Sequence, residues 1–175
     1  MELNRRSHSD LTMGIIGAGS LGFTLATGLK HSGCSVTGIW TKTFSRTKDL
    51  TLKLPEVIPF KYMQEAADNC ELIFITVPDD NIAEVADSTN WRKGQYVVHC
   101  SGIHPKEVLH NAEKMGAITG GFHPLQTFSR FKVDPSLFQG ITFGVDAPNP
   151  LFEILESIGH SLGGKSIAIT GKDRI

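Results

Sequence analysis

Short apolar runs alternate along this chain with stretches in which apolar residues recur at helical spacing, the signature of alternating strands and helices. A strand is predicted over residues 11–16 and a helix over about 20–30, where Leu21, Leu25 and Leu29 share one face and Gly33 supplies the stop. A second strand follows over 35–40, then a short helix over 43–54 ended by Pro55, a short strand over 57–62 and one helical turn over 64–68. Residues 71–77 form the strongest strand, with an apolar run from Leu72 to Val77 interrupted only by Thr76, which suits a parallel strand buried on both faces. Pro78-Asp79-Asp80 ends it, and either aspartate can cap a helix over 81–87. Further strands are predicted over 96–100, 117–122, 141–145 and 166–169, the strand over 117–122 ending at His123-Pro124. Helices fall over 105–115, with Pro105 near its start, and over 150–162, where Leu151, Ile154, Leu155 and Ile158 line one face before Gly163-Gly164. Strands alternating with helices predict an α/β fold with a mostly parallel sheet and right-handed crossovers.

Composition adds bounds rather than structure. The 175 residues are 40% hydrophobic and 20% charged, which fits a packed domain and argues against disorder. A net charge of −1 gives no support to nucleic-acid binding or to a membrane-surface role. The longest apolar run is far shorter than the roughly 18–20 residues a membrane span needs. Residues 1–10 are polar and basic, read as a flexible tail and not as a signal peptide. Cys34, Cys70 and Cys100 make an odd count without CxxC spacing, as expected of small core residues in a reduced, cytoplasmic chain. Glycine alone stands out, at 18 of 175 residues against a usual share of about 7%.

Part of that excess carries chemistry. Gly17-Ala18-Gly19-Ser20-Leu21-Gly22 is a GxGxxG placed between the first strand and the first helix, the context that makes the pattern informative. Gly17 permits the tight turn, a side chain at Gly19 would block a pyrophosphate, and Gly22 lets helix and strand approach. The helix N-terminus then meets the phosphates with free N–H groups and a favourable dipole. The expectation is a doubly wound, Rossmann-like dinucleotide-binding domain over 11–172. An NAD site usually carries an acidic residue about 20 residues further on, at the end of the second strand. No acidic residue occurs here from Leu11 through Lys48. The second strand runs instead into Thr41, Lys42 and Thr43, with Arg46 and Lys48 beyond, groups that could bind the 2′-phosphate of NADP or could simply be a solvated basic loop.

Ligands of open α/β sheets sit beyond the carboxyl ends of the strands, and three further polar clusters fall there. Val77, Pro78 and Asp79 could flank a cofactor ribose or only end a strand and cap a helix. In His99-Cys100-Ser101-Gly102, Ser101 could hold a substrate or the nicotinamide amide, while nothing nearby activates Cys100 as a nucleophile. His123, in His123-Pro124-Leu125-Gln126-Thr127, could act as general acid or base, or be a satisfied core histidine. His99, Cys100, His104 and His123 match no common zinc spacing, so no metal site is expected.

Read together, the segments Gly14-Ile15-Ile16-Gly17-Ala18-Gly19, Phe74-Ile75-Thr76-Val77-Pro78-Asp79-Asp80, Val98-His99-Cys100-Ser101-Gly102 and Phe122-His123-Pro124-Leu125-Gln126-Thr127-Phe128 resemble an uncharacterised family described as NADP-dependent oxidoreductases. Its members pair a Rossmann-like domain with a C-terminal helical domain of unknown function. It is similar to the pyrroline-5-carboxylate reductases, ketopantoate reductases, prephenate dehydrogenases and deazaflavin-linked NADP reductases. The resemblance spans residues 12–172 and implies an enzyme of two domains, usually a homodimer, acting on a small molecule, ketopantoate reduction being one candidate. It implies that His123-Pro124 sets a histidine on the reacting hydroxyl and that Ser101 lies on the substrate side. The helical domain is not expected within these 175 residues, which leaves two functional readings: the cofactor-binding part of an oxidoreductase, or a dinucleotide-binding or redox-sensing module without catalysis. A nucleotide-dependent transferase is a third reading, on the fold alone.

Overall fold

The computed structural model describes residues 7–43, 52–129 and 133–170. Their order is β1 (Met13–Ile16), α1 (Ser20–His31), β2 (Val36–Trp40), β3 (Ile58–Pro59), α2 (Met63–Asn69), β4 (Leu72–Ile75), α3 (Ile82–Ser88), β5 (Tyr96–His99), α4 (His110–Lys114), β6 (Ile118–Pro124), β7 (Thr142–Asp146), α5 (Leu151–Ser161) and β8 (Lys165–Ala168). The strands form one sheet in the order β3-β2-β1-β4-β5-β6-β7-β8. Neighbours from β3 to β6 are parallel, β7 runs antiparallel to β6, and β8 is parallel to β7. The expected α/β architecture with a mostly parallel sheet therefore forms, with one reversal at β7 that the apolar pattern does not mark.

The central strands are apolar throughout because both of their faces are covered. Along β4, Leu72 and Phe74 enter one core with Leu25 and Leu29 of α1 and Leu151, Leu155 and Ile158 of α5. Ile73 and Ile75 point to the other face, into a second core with Ala66 and Ala67 of α2, Ile82, Val85 and Ala86 of α3 and Ala112 of α4. The first core is bound across the reversal by aromatic rings. Phe122 of β6 stacks on Phe143 of β7 at 4.5 Å and meets Phe74 at 6.0 Å, and Phe143 in turn packs on Phe138 at 5.8 Å. Phe138 lies in a short 3-10 turn, Pro135–Phe138, and reaches α1 at Gly28, where an added Cβ would come within 3.2 Å of the ring.

Several local expectations change. The helix over 43–54 falls largely on residues outside those described. The strand over 57–62 shrinks to β3, and the turn over 64–68 lengthens into α2, whose Glu65 carboxylate accepts the N–H groups of Lys61 and Tyr62. Neither Asp79 nor Asp80 caps α3, because Asp79–Asn81 is itself a 3-10 turn that leads into the helix. The helix over 105–115 divides into a 3-10 turn, Lys106–Leu109, and α4. Gly33 and Gly163 stop α1 and α5 as the sequence suggests, with φ of +81° and +88°. The amides that follow them bond back to Leu29 and Gly159. Within the segment read as a tail, His8–Asp10 forms a 3-10 turn whose His8 Nδ1 meets the Ser157 hydroxyl of α5 at 2.8 Å.

The phenylalanine stack makes a measurable claim. Phe122→Ala removes a fully buried ring in direct contact with Phe74 of β4 and Phe143 of β7. The unfolding free energy should fall by about 3–5 kcal/mol, read as a lower urea midpoint at unchanged m-value.

Candidate functional site

The carboxyl ends of β1, β4, β5 and β6 stand side by side in the sheet, so the segments that leave them share one edge. The sheet order reverses direction at β1 and β4, the place where such sheets bind ligands. The chain leaves β1 through Gly17, whose φ of +113° lies in the left-handed region that favours glycine. A Cβ there would come within 2.8 Å of the Thr76–Val77 peptide. On Gly22 it would overlap the Gly17 carbonyl oxygen and the Thr76 hydroxyl. On Gly19 it would meet nothing within 4 Å. The first and third glycines are thus required by packing, whereas the second faces open space. Gly19 is the N-cap of α1 and gives it no side-chain hydrogen bond, and the first turn holds no acidic residue. Ala18 and Leu21 are half-buried on the first core, and half-buried Ser20 begins the helix.

Two polar contacts fix this turn. The Gly17 N–H donates to the Trp40 carbonyl at the end of β2 (2.7 Å). The Thr76 hydroxyl, just past β4, donates to the Gly17 carbonyl (2.7 Å). The sequence marks Thr76 only as an interruption of an apolar strand; that interruption is the signal of its role. Because Trp40 is tied to Gly17, the segment that follows it starts beside the glycine turn. Thr41 there is half-buried and Lys42 and Thr43 are exposed, while Arg46 lies outside the described residues. On the other side, Val77 is half-buried against the second core, Pro78 is exposed, and Asp79 opens its 3-10 turn.

The β5 and β6 ends form a second group. His99, fully buried, accepts the Ser101 N–H on Nδ1 (3.1 Å), so its ring proton sits on Nε2. Ser101 is buried too, and its hydroxyl oxygen accepts the N–H groups of Ile103 and His104 (3.2 and 3.1 Å), closing the loop on itself. His123 is not beyond its strand, as the sequence suggests, but inside β6, paired with Gly144 of the antiparallel β7. Half-buried, it sits 3.2 Å from the Cys100 carbonyl through Nδ1. A carbonyl only accepts, so Nδ1 carries the proton and Nε2 of the neutral ring is an acceptor. The structure thus brings Ser101 and His123 to one loop, with the glycine turn along the same edge.

The cysteines stay out of this chemistry. All three are buried and free. Burial pushes the Cys70 and Cys100 thiols up from an ordinary 9.0 to about 12, against a smaller lowering of Cys70 by Arg92. Burial also raises Cys34, partly offset by a hydrogen bond with Ser161. Among the described residues, no three His, Cys, Asp or Glu side chains gather as a metal would require. A large groove of about 990 Å³ lies at the opposite, amino-terminal edge of the sheet, lined by His8, Arg92, Tyr96 and Glu153 among others. Arg92 there already donates to the Asp68 and Cys70 carbonyls. No described helix is long and apolar enough to cross a membrane.

A Rossmann-like domain model matches residues 4–124, ending where β6 ends. The chain belongs to the Rossmann-like domain family. A search of curated proteins finds no match. Among solved structures, this Rossmann-like chain is similar to a candidate NADP oxidoreductase from Bacteroides fragilis, with 24% identity and a TM-score of 0.82 over 96% of this chain and 64% of that one. It is similar also to prephenate dehydrogenase from Aquifex aeolicus in complex with hydroxyphenyl propionate and NAD+, with 14% identity and a TM-score of 0.80 over 95% and 62%. Pyrroline-5-carboxylate reductase from Coxiella burnetii gives 16% identity and a TM-score of 0.67 over 91% and 59%. The chain therefore spans about three-fifths of the length of these structures, and the likeness establishes the fold.

Two outcomes follow from the geometry. Thr76→Val removes the hydroxyl from the Gly17 carbonyl at nearly unchanged shape and should cost about 1 kcal/mol of unfolding free energy, measured by urea denaturation. The thiols of Cys70 and Cys100 titrate near 12 when folded and near 9.0 when unfolded. Between these values the folded state holds more protons, so their contribution is full below about pH 9 and is lost as pH rises through about 12. Urea midpoints should fall across that window, and less steeply in Cys100→Ala.

Proposed function

We propose that this chain is the cofactor-binding domain of an NADP-dependent oxidoreductase acting on a small carbonyl, hydroxyl or imine substrate. The observation that carries the reading is the bare N-terminus of α1. It has no side-chain cap and no acidic residue in its first turn, and open space faces Gly19, the one glycine of the turn that packing does not require. Four free N–H groups and the helix dipole suit a pyrophosphate there. Gly17, Ala18, Gly19, Ser20, Leu21 and Gly22 would hold it through the backbone. Thr41, Lys42 and Thr43, with Arg46, would take the 2′-phosphate, a reading supported by two hydroxyls and an exposed cation where an NAD site would carry a carboxylate. Val77, Pro78 and Asp79 would flank the ribose beside them.

A bound nicotinamide dinucleotide supplies hydride exchange with the substrate carbon. The residues of the chain supply position and protons. His123, with Nδ1–H held by the Cys100 carbonyl, presents Nε2 as the nitrogen that takes a proton from a hydroxyl and, once charged, returns it to a carbonyl oxygen or imine nitrogen. Ser101 orders the loop beneath it and lies on the substrate side. Relatives of similar fold include a candidate NADP oxidoreductase and two enzymes of redox type, which agrees with this class.

Fluorescence titration of the purified chain tests the reading. NADPH should bind at least about tenfold more tightly than NADH, or about 1.4 kcal/mol, and Lys42→Ala should weaken NADPH alone. Equal affinities would remove the NADP preference. Gly19→Leu, which fills the open space, should weaken both nucleotides by about a hundredfold or more, and unchanged binding would remove the dinucleotide site altogether.

A further inference from the structure

Gly102 follows the buried Ser101 in the β5 loop, and nothing in its own backbone asks for glycine. Among the described residues, the glycines whose φ is positive are Gly17, Gly33, Gly94, Gly116, Gly140 and Gly163, and Gly102 is not among them. Its neighbour explains it. A Cβ added at Gly102 would stand 2.7 Å from both Cε1 and Nε2 of His123 and 3.2 Å from Cδ2. Real Cβ atoms do not approach a ring so closely. The atom struck is also not the loose end of a flexible chain, since His123 lies within β6, paired across to Gly144, with Nδ1 held by the Cys100 carbonyl at 3.2 Å.

We propose that Gly102 is a positioning residue for His123: the missing side chain lets the imidazole lie on the β5 loop with Nδ1–H on the Cys100 carbonyl, leaving Nε2 bare as the acceptor. Two consequences follow from the same distances. A side chain at 102 pushes the ring off the carbonyl that selects its tautomer. It also covers the nitrogen that has to meet a substrate proton. The importance of this for turnover rests on His123 being the proton-handling group, but the placement itself does not.

The test therefore reads the ring directly. In the full chain, long-range nitrogen–proton NMR of His123, with the ring neutral, should show the Nδ1–H tautomer predominating. In Gly102→Ala the balance should move toward Nε2–H, while NADPH affinity by fluorescence stays within about twofold. A wild-type ring protonated mainly on Nε2, or a tautomer unchanged in Gly102→Ala, overturns the proposal. If Gly102→Ala is too unstable for spectra, the double variant Gly102→Ala/His123→Ala decides. Removing the ring removes the clash, so the urea midpoint should return to that of His123→Ala alone. A double variant as unstable as the single Gly102→Ala would mean that the glycine answers to something other than His123. Should the tautomer behave as stated while His123→Ala leaves turnover of an NADPH-dependent carbonyl substrate intact, the positioning stands and the proton-transfer role of His123 falls.

Discussion

Helix α1 can start where it does only because no side chain stands at Gly17 or Gly22. The Gly17 carbonyl, the Thr76 hydroxyl and the α-carbon of Gly22 are pressed together. The Gly17 peptide is bonded on one side to Trp40 of β2 and on the other to Thr76 beyond β4. This contact joins the ends of three adjacent strands to the first turn of one helix. Everything the site can do depends on it. The first-turn N–H groups of α1 take their position from this contact, and the proposed anion site takes its position from them. An anion site made of backbone donors has no side chains to readjust, so its precision comes from packing alone.

That precision is held from a distance by the first core. Gly28 brings α1 against Phe138, and Phe138, Phe143, Phe122 and Phe74 pass the contact back through β7 and β6 to β4. The antiparallel strand β7 belongs to this frame. It lies beyond the region matched by the Rossmann-like model, yet it pairs with His123 and Pro124 and so fixes the end of β6 that carries the histidine. The parallel part of the sheet presents the glycine turn, and the reversed part holds the proposed proton group. A proline can close β6 because the Pro124 carbonyl accepts the Gln126 N–H and the Leu125 N–H reaches Thr142, so the pairing continues without the missing donor.

The sequence exposes the parts of this structure that rest on burial and hides those that rest on geometry. Strands β1, β4 and β5 are legible because both faces are covered and the apolar run is continuous. The glycine turn is legible because its spacing reflects steric demands at fixed positions. The direction of β7 is not, since an apolar strand reads the same whichever way it runs. Nor is the division of 105–115, because Leu109 and Ala112 are buried at a spacing that either a 3-10 turn or an α-helix can satisfy. His123 stands out in the sequence as a candidate, but its place within the strand does not, because Pro124 reads as a strand breaker until its partner is known. Thr76 is plain in the sequence as the polar residue of an apolar run, and only the fold shows which carbonyl it faces.

The segment His99-Cys100-Ser101-Gly102 acquires a single physical logic once its two histidines are compared. His99 and His123 sit one strand apart and grip the same loop in opposite tautomers. His99 accepts the Ser101 N–H through Nδ1, and His123 stands with Nδ1 toward the Cys100 carbonyl as donor. The first is fully buried and serves the loop from within the sheet; the second is half-buried, near the carboxyl end of β6. Ser101 is drawn in by its own bonds to Ile103 and His104, which leaves Cys100 and Gly102 as the contact surface for the second ring. Cys100 contributes its carbonyl, not its thiol, which burial keeps protonated to about pH 12. The residue type most often read as a nucleophile is thus a small packing element whose backbone orients a neighbour. The histidine that looks interchangeable with its partner in sequence is distinguished by which of its nitrogens the loop has already claimed.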